Sequence, residues 1–356
     1  MISSLCIALL AATGLSLWLA PIAGWLGRRI GGLVCRPTMG LPIAGRIIPR
    51  SGSLALIIAI IAASYGTWRL SRTIVAPYAA ILIASLPIFI GGVVDDWRHE
   101  LRIRDKALIQ LASAALVVWQ GVRAEIGGWP GWMNLLISLA WIVGVTNAFN
   151  LLDILDGLVL GIAVVVAITF GWIAAVNGEL PAIILCAAIA GAAAGLWRSN
   201  RYPASIFLGD AGAQWLGFVF ACLALSLRFA PTGRFVALLT PLLILAAPLF
   251  DTAFVIFLRL RHGRSPLAKS QDHCALRWIL QGRTPQWAVR RMWRLSVAAS
   301  LAGLLVFYTP NLVGAFVVLC LAIHLYFVAR SADHLPAPHI PSTPRQGVQS
   351  LEPTHV

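Results

Sequence analysis

The chain has 356 residues, 59% of them hydrophobic and only 11% charged, with a mean hydropathy of +0.85. That composition excludes a large soluble enzyme and describes a membrane protein with many spans. The net charge of +14 would suit a nucleic-acid binder, but the basic residues sit in loops between apolar runs, so no nucleic-acid partner is expected.

Apolar runs long enough to cross a bilayer lie at 3–26, 53–68, 74–94, 107–122, 132–149, 158–177, 180–197, 205–227, 235–258, 295–309 and 311–329. They predict an all-α polytopic protein of about eleven transmembrane helices. The first run has no basic region before it and no small-residue cleavage site, so it reads as a retained span. Of the 27 Lys and Arg, 22 fall on one side when the loops are taken alternately. They include Arg36 and Arg46 early in the chain and nine residues between 259 and 294. The positive-inside rule makes that side cytosolic, with the amino terminus outside and the carboxyl terminus inside. Residues 1–330 read as one transmembrane domain, and the proline-rich 331–356 as a disordered cytosolic tail. No pair among the six cysteines has zinc or redox spacing.

The acids follow the same asymmetry, and nine of the thirteen, Glu100 among them, lie at or near the basic face. In chain order, the turn Pro49-Arg50-Ser51-Gly52-Ser53 opens the second run and suits either a phosphate or a plain helix start. Asp95-Asp96 ends the third run. Adjacent helical residues point about 100° apart, so the two address different partners unless the helix stops there. Arg102, Arg104 and Lys106 follow, placed to take phosphate charge or to form local ion pairs. The fifth run closes on Asn147, Asn150, Asp153, Asp156 and Gly157, two amides and two acids with no base among them. Buried in lipid without partners such groups cost several kcal/mol, so they call for an aqueous pocket or a cation, and the helix should break near Gly157. Asp210, flanked by Gly209 and Gly212 at a helix start, suits a metal held beside a phosphate, although ordinary capping would use the same residue. Asp251 lies eight residues before Arg259, within the hydrocarbon if its helix is straight. In the long loop after it, Asp272, His273 and Arg277 could bind a diphosphate.

From Arg46 to Arg277 these blocks resemble, in order, the polyprenyl-phosphate N-acetylhexosamine-1-phosphate transferases. That family includes initiators of O-antigen and teichoic acid and the phospho-MurNAc-pentapeptide translocase. The resemblance implies an enzyme of the bacterial inner membrane that transfers a sugar 1-phosphate from a UDP-N-acetylhexosamine to undecaprenyl phosphate and releases UMP. It implies a cytosolic Mg²⁺ site, with Mn²⁺ as a substitute, and leaves a homodimer open. Asp210 would hold the metal with Asp153 or Asp156 in support. Asp95 or Asp96 would deprotonate or orient the lipid phosphate. Arg50, Arg104, Lys106, Asn147, Asn150, Asp272, His273 and Arg277 would bind substrate. Asp251 matches a recurrent acidic position and is expected to border the metal pocket, held by Asn150, Lys106 or the ion. Two positions depart from the pattern. Ser53 stands where a second glycine is usual, and Ala275 and Leu276 stand where further histidines are common. The competing readings are an intramembrane prenyltransferase, which lacks its paired acidic blocks here, and an ion-coupled transporter, whose acids would sit at mid-membrane.

Overall fold

A computed structural model describes residues 1–30, 34–35, 48–73, 76–98, 101–230, 233–266 and 272–333. Arg36, Arg46, Glu100 and residues 334–356 of the expected tail lie outside the described residues. In order the helices are α1 (Ile2–Ile30), α2 (Gly52–Ser71), α3 (Ala76–Ala84), α4 (Leu86–Arg98), α5 (Ile103–Trp119), α6 (Gly131–Leu152) and α7 (Leu158–Val176). There follow α8 (Leu180–Asn200), α9 (Gly209–Ser226), α10 (Thr240–Ile244), α11 (Ala246–Arg261), α12 (Cys274–Leu280), α13 (Pro285–Tyr308) and α14 (Asn311–Asp333). The one departure from an all-helical fold among the described residues is a short antiparallel pair, β1 (Val34–Cys35) with β2 (Ile48–Pro49), in the register Val34 opposite Pro49.

Seven helical segments among the described residues are long and apolar enough to span a bilayer, or eight if a bent pair counts as one, which describes an integral membrane protein with many crossings. The expected eleven runs all meet helices, but α5, α9 and α13 fall short of that criterion. Two runs are not straight. Run 74–94 pauses at Ser85, two residues before Pro87, and run 235–258 breaks at Leu245 with a 78° bend. Proline lacks an N–H and its ring crowds the carbonyl four residues back, here Ile83 for Pro87 and Ile244 for Pro248. Asp251 and Arg259 lie together on α11, on the far side of that break. The tail boundary is corrected. Residues 331–333 complete α14, because α12 grips its last turn: Trp278 Nε1 donates to Ser331 Oγ (3.2 Å), and Gln281 Nε2 donates to the Ser331 carbonyl (2.9 Å).

Small residues set how the helices approach. Ala8, Ala12, Ser16, Ala20 and Gly24 repeat every four residues along the buried stripe of α1. They face Gly191 and Gly195 of α8, where added β-carbons would strike the α1 carbonyls of Leu9 and Thr13. Ser16 Oγ donates to the Ala192 carbonyl across the same contact (2.8 Å). Without a hydrophobic driving force inside lipid, such close backbone packing supplies much of the helix association.

Cross-links sort the helix ends into two sets. Phe207 N–H donates to Pro49 O (2.8 Å), and Gly52 and Ser53 N–H donate to Phe207 and Leu208 O (3.0 and 3.1 Å). Asn200 Oδ1 accepts from Gly157 N–H, and Arg261 reaches Asp333 (2.9 Å). The termini bearing the arginine-rich loops thus share one end of the bundle. At the other end Trp68 bonds Pro181 O, Asn177 bonds Arg228 O and Arg234 bonds Phe307 O.

Gly92 of α4 packs on the backbone of Ala211 in α9, so an added methyl would overlap the Ala211 Cα. We expect Gly92→Ala to destabilise the purified protein by about 1–3 kcal/mol through overpacking. Gly66→Ala, which meets no atom within 4 Å, should leave the melting temperature unchanged or raise it slightly.

Candidate active site

The hydrogen bonds of the Pro49–Ser53 turn to Phe207 and Leu208 join two of the sequence motifs directly. They leave Gly52 no room for a side chain, because a β-carbon there would lie 2.6 Å from Phe207 O. The same backbone pairing brings the start of α9 beside Arg50. The Ser53 departure is accommodated, since its side chain fills the space against Gly212.

Asp95 and Asp96 diverge, as helix geometry requires. Asp95 accepts the Leu101 N–H (2.6 Å) and pairs with the Lys106 ammonium. Lys106 also binds Asp210 Oδ2 (3.0 Å), so one cation links α4, α5 and α9. Asp96 turns the other way: its Oδ1 accepts from Asp210 N–H (3.0 Å) and its Oδ2 from Ala211 N–H (3.1 Å). Arg50 lies within electrostatic reach of both Asp96 and Asp153.

The expected break in the polar stretch falls at residues 153–157, where α6 stops and Gly157 takes φ +75° before α7 begins. Asp153, in that turn, is half-buried, and burial with the charges of Asp210 and Asp96 pushes its carboxyl up to about 8 against the pull of Arg50. Asp156 is raised as well by burial, partly offset because it accepts the Ala204 N–H (2.9 Å). Asp153 therefore joins the cluster, whereas Asp156 also pins the 200–206 loop.

One turn deeper runs a neutral rung. Gln110 lies four residues after Lys106, and Gln214 four after Asp210, so each pair shares a helix face. Gln110 Nε2 donates to Gln214 Oε1 (2.9 Å), and Asn147 Nδ2 donates to Gln110 Oε1 (2.6 Å). Sequence reasoning missed Gln110, Gln214 and Asn200. For Gln110 and Gln214 the signal available was a polar side chain four residues from a charged one inside an apolar run.

The other expected residues are arranged differently. Arg104 is exposed near the start of α5. Asp251 is buried in the bundle, but neither Asn150 nor Lys106 holds it. Its Oδ2 meets His273 Nδ1 (2.7 Å) and its Oδ1 accepts the Cys274 N–H (2.9 Å) at the start of α12. That corrects the expected partners: the start of α12 lies against Asp251 of α11 and supplies both of its hydrogen bonds. Asp272 is sealed between Arg264 (2.9 Å) and Arg277 (3.4 Å). Arg277 is fully buried, with its Nε on the Ala332 carbonyl (2.7 Å), so it staples α12 to the end of α14.

Among the described residues no three His, Cys, Asp or Glu side chains are grouped to ligate a single ion. Lys106 occupies the space between Asp95 and Asp210. The chemistry nonetheless fits a hard cation. The available donors are all oxygen, and Asn150 Oδ1 is buried without a partner at the end of α6.

Lys106 neutralises two acids at once, which gives a test independent of any activity. Lys106→Met should lower the melting temperature, and adding Asp95→Asn should recover part of the loss by removing one of the stranded charges. A double variant no more stable than the single would contradict the shared ion pair.

The sequence is similar to known families and proteins. Residues 78–228, which carry Asp95, Asp96, Lys106, Asp153, Asp156 and Asp210, match the family described as glycosyl transferase family 4. The chain is 28% identical over 292 residues to a probable undecaprenyl-phosphate N-acetylglucosaminyl 1-phosphate transferase of Bacillus subtilis, covering 80% of each chain. It is 27% identical over 327 residues to a decaprenyl-phosphate N-acetylglucosaminephosphotransferase of Mycobacterium tuberculosis, again 80% of each. A phospho-N-acetylmuramoyl-pentapeptide-transferase of Levilactobacillus brevis is 30% identical over 202 residues, 51% of this chain and 62% of that one. With its acids gathered at one end of a membrane bundle, the chain is similar over most of its length to polyprenyl-phosphate sugar-phosphate transferases, and its residues 78–228 match glycosyl transferase family 4.

Proposed function

We propose that the protein transfers N-acetylglucosamine 1-phosphate, or that of a related N-acetylhexosamine, from a UDP-sugar to undecaprenyl phosphate. The products are undecaprenyl-diphospho-sugar and UMP, the first step of a cell-envelope polysaccharide such as O-antigen. The observation that carries this reading is the convergence of Asp95, Asp210 and Lys106 from three helices, with Asp153 and Arg50 beside them. A diphosphate donor and a lipid phosphate bring several negative charges together, and a membrane-edge site must neutralise them.

The bond-making is an in-line displacement. An oxygen of the lipid phosphate attacks the β-phosphorus of the UDP-sugar, and the bond to the α-phosphate oxygen breaks, leaving its electron pair on UMP. Arg50 and Lys106 take phosphate charge, with Lys106 exchanging its carboxylate partners for phosphate oxygens. Asp95, adjoining that cation, orients the attacking phosphate and accepts its proton if it arrives protonated. Asp210 and Asp153, with Asn150, would hold Mg²⁺, which when bound screens the diphosphate and polarises the phosphorus.

The same reading sets the arrangement in the bacterial inner membrane: eleven crossings, amino terminus outside, carboxyl terminus and site facing the cytosol. The 22 basic residues of one side support it.

Purified protein given undecaprenyl phosphate, Mg²⁺ and a panel of UDP-sugars should release UMP with one N-acetylhexosamine donor and stop on chelation. Asp210→Asn should lower turnover by roughly 10²-fold or more, the scale for losing a charge-stabilising group, without unfolding the protein. No UMP from any donor would reject the proposal. In a cysteine-free background, cysteines at Arg104 and Ser265 should resist an impermeant thiol reagent in intact cells and react after permeabilisation. Labelling from outside would invert the topology.

A further inference from the structure

We infer that the adjacent acids Asp95 and Asp96 divide the work: Asp96 is a positioning residue that clamps the start of α9 and thereby sets Asp210, while Asp95 alone of the pair meets the substrate. The inference rests on the proposed transfer for its kinetic half and on geometry for the rest.

The first turn of any helix leaves backbone N–H groups without partners. In α9 the residue before the helix is Leu208, whose side chain cannot accept a hydrogen bond. Asp96 supplies the acceptor from another helix, with one carboxylate oxygen on the Asp210 N–H and the other on the Ala211 N–H. Both oxygens are thus engaged by backbone, and the residue is 1% exposed. A negative charge at a helix amino terminus also interacts favourably with the helix dipole.

Two glycines make the reach feasible. Gly92, one helical turn before Asp96, lets α4 lie on the backbone of Ala211. Gly209, at φ +80°, leaves no β-carbon to collide with the Asp96 carboxylate. Asp95 points about 100° away around α4 and takes the Lys106 ammonium that also holds Asp210. The position of the Asp210 carboxylate is therefore fixed twice, through its backbone by Asp96 and through its side chain by Lys106.

The test uses the full chain in lipid nanodiscs, with Asp96→Ala, Asp96→Asn and Asp95→Asn beside the unaltered protein. Hydrogen exchange is read on the peptide covering residues 207–213, and kcat is read against pH. Asp96→Ala should speed exchange of that first turn roughly 5- to 30-fold, the scale of a lost helix cap. Asp96→Asn, which still accepts one N–H, should fall between, retain measurable turnover and keep the wild-type pH profile. Asp95→Asn should leave exchange there unchanged and abolish turnover. Unchanged exchange in Asp96→Ala would overturn the inference, as would an Asp96→Asn protein with protected amides and no turnover. Should the alanine variant fail to fold, the asparagine variant's exchange and pH profile decide. If the unaltered protein transfers no sugar phosphate, the proposed function fails, and the exchange result still judges the clamp.

Discussion

The ammonium of Lys106 allows the carboxylates of Asp95 and Asp210 to share one end of an apolar bundle. Two such charges at close range repel by several kcal/mol where water is scarce, and each alone would be costly to bury. Placing one cation between them turns that repulsion into a link joining α4, α5 and α9. Much of the neighbouring architecture follows from keeping that link in place. Backbone pairing of Pro49–Ser53 with Phe207–Leu208 fixes the start of α9, and the amide rung of Gln110, Gln214 and Asn147 fixes the depth of α5 and α6.

The two rungs also grade the environment. Charged groups occupy the outer turn, amides the next, and beyond them come apolar residues such as Val145, Ile142 and Phe218. A polar substrate headgroup entering from the basic face would meet charge first and then hydrogen-bonding groups, with hydrocarbon behind. Under the proposed function, that gradient would let phosphate chemistry proceed at one end of the bundle without opening a polar path through it.

Much of this was legible in the sequence because lipid imposes strict rules. Runs of apolar residues marked the helices, and intramembrane acids had to be gathered somewhere. The alternation of spans places Asp95, Lys106, Asp153 and Asp210 at the same end of the bundle, without saying which of them touch. What the sequence concealed was mostly directional. Nothing in Asp95-Asp96 reveals which acid faces a helix start and which faces a lysine, since that depends on how α4 is rotated against α9. The bend at Leu245 was signalled by Pro248, yet its angle and the pairing of Asp251 with His273 depend on packing between elements. Arg277 looked like a ligand for phosphate because a basic residue beside a histidine does. Its burial against the end of α14 depends on a helix that begins more than thirty residues later.

The long-range character of the cluster bears on how the protein is made. Lys106 and Asp210 are 104 residues apart in the chain, and Asp96 and the Asp210 amide 114. A chain emerging from the ribosome amino terminus first delivers α1 to α8 to the membrane before α9 exists. During that interval Asp96, Lys106 and Gln110 have none of their partners on α9, and the carbonyl of Pro49 has no Phe207 to receive. The first eight helices can pack on one another through α1 and α8, but the site end stays open until α9 threads into place. Biogenesis therefore has a closing event for this cluster: insertion of α9 brings the Asp210 carboxylate, the Asp210 and Ala211 amides and Gln214 to their partners in one step, before α10 to α14 pack on the bundle.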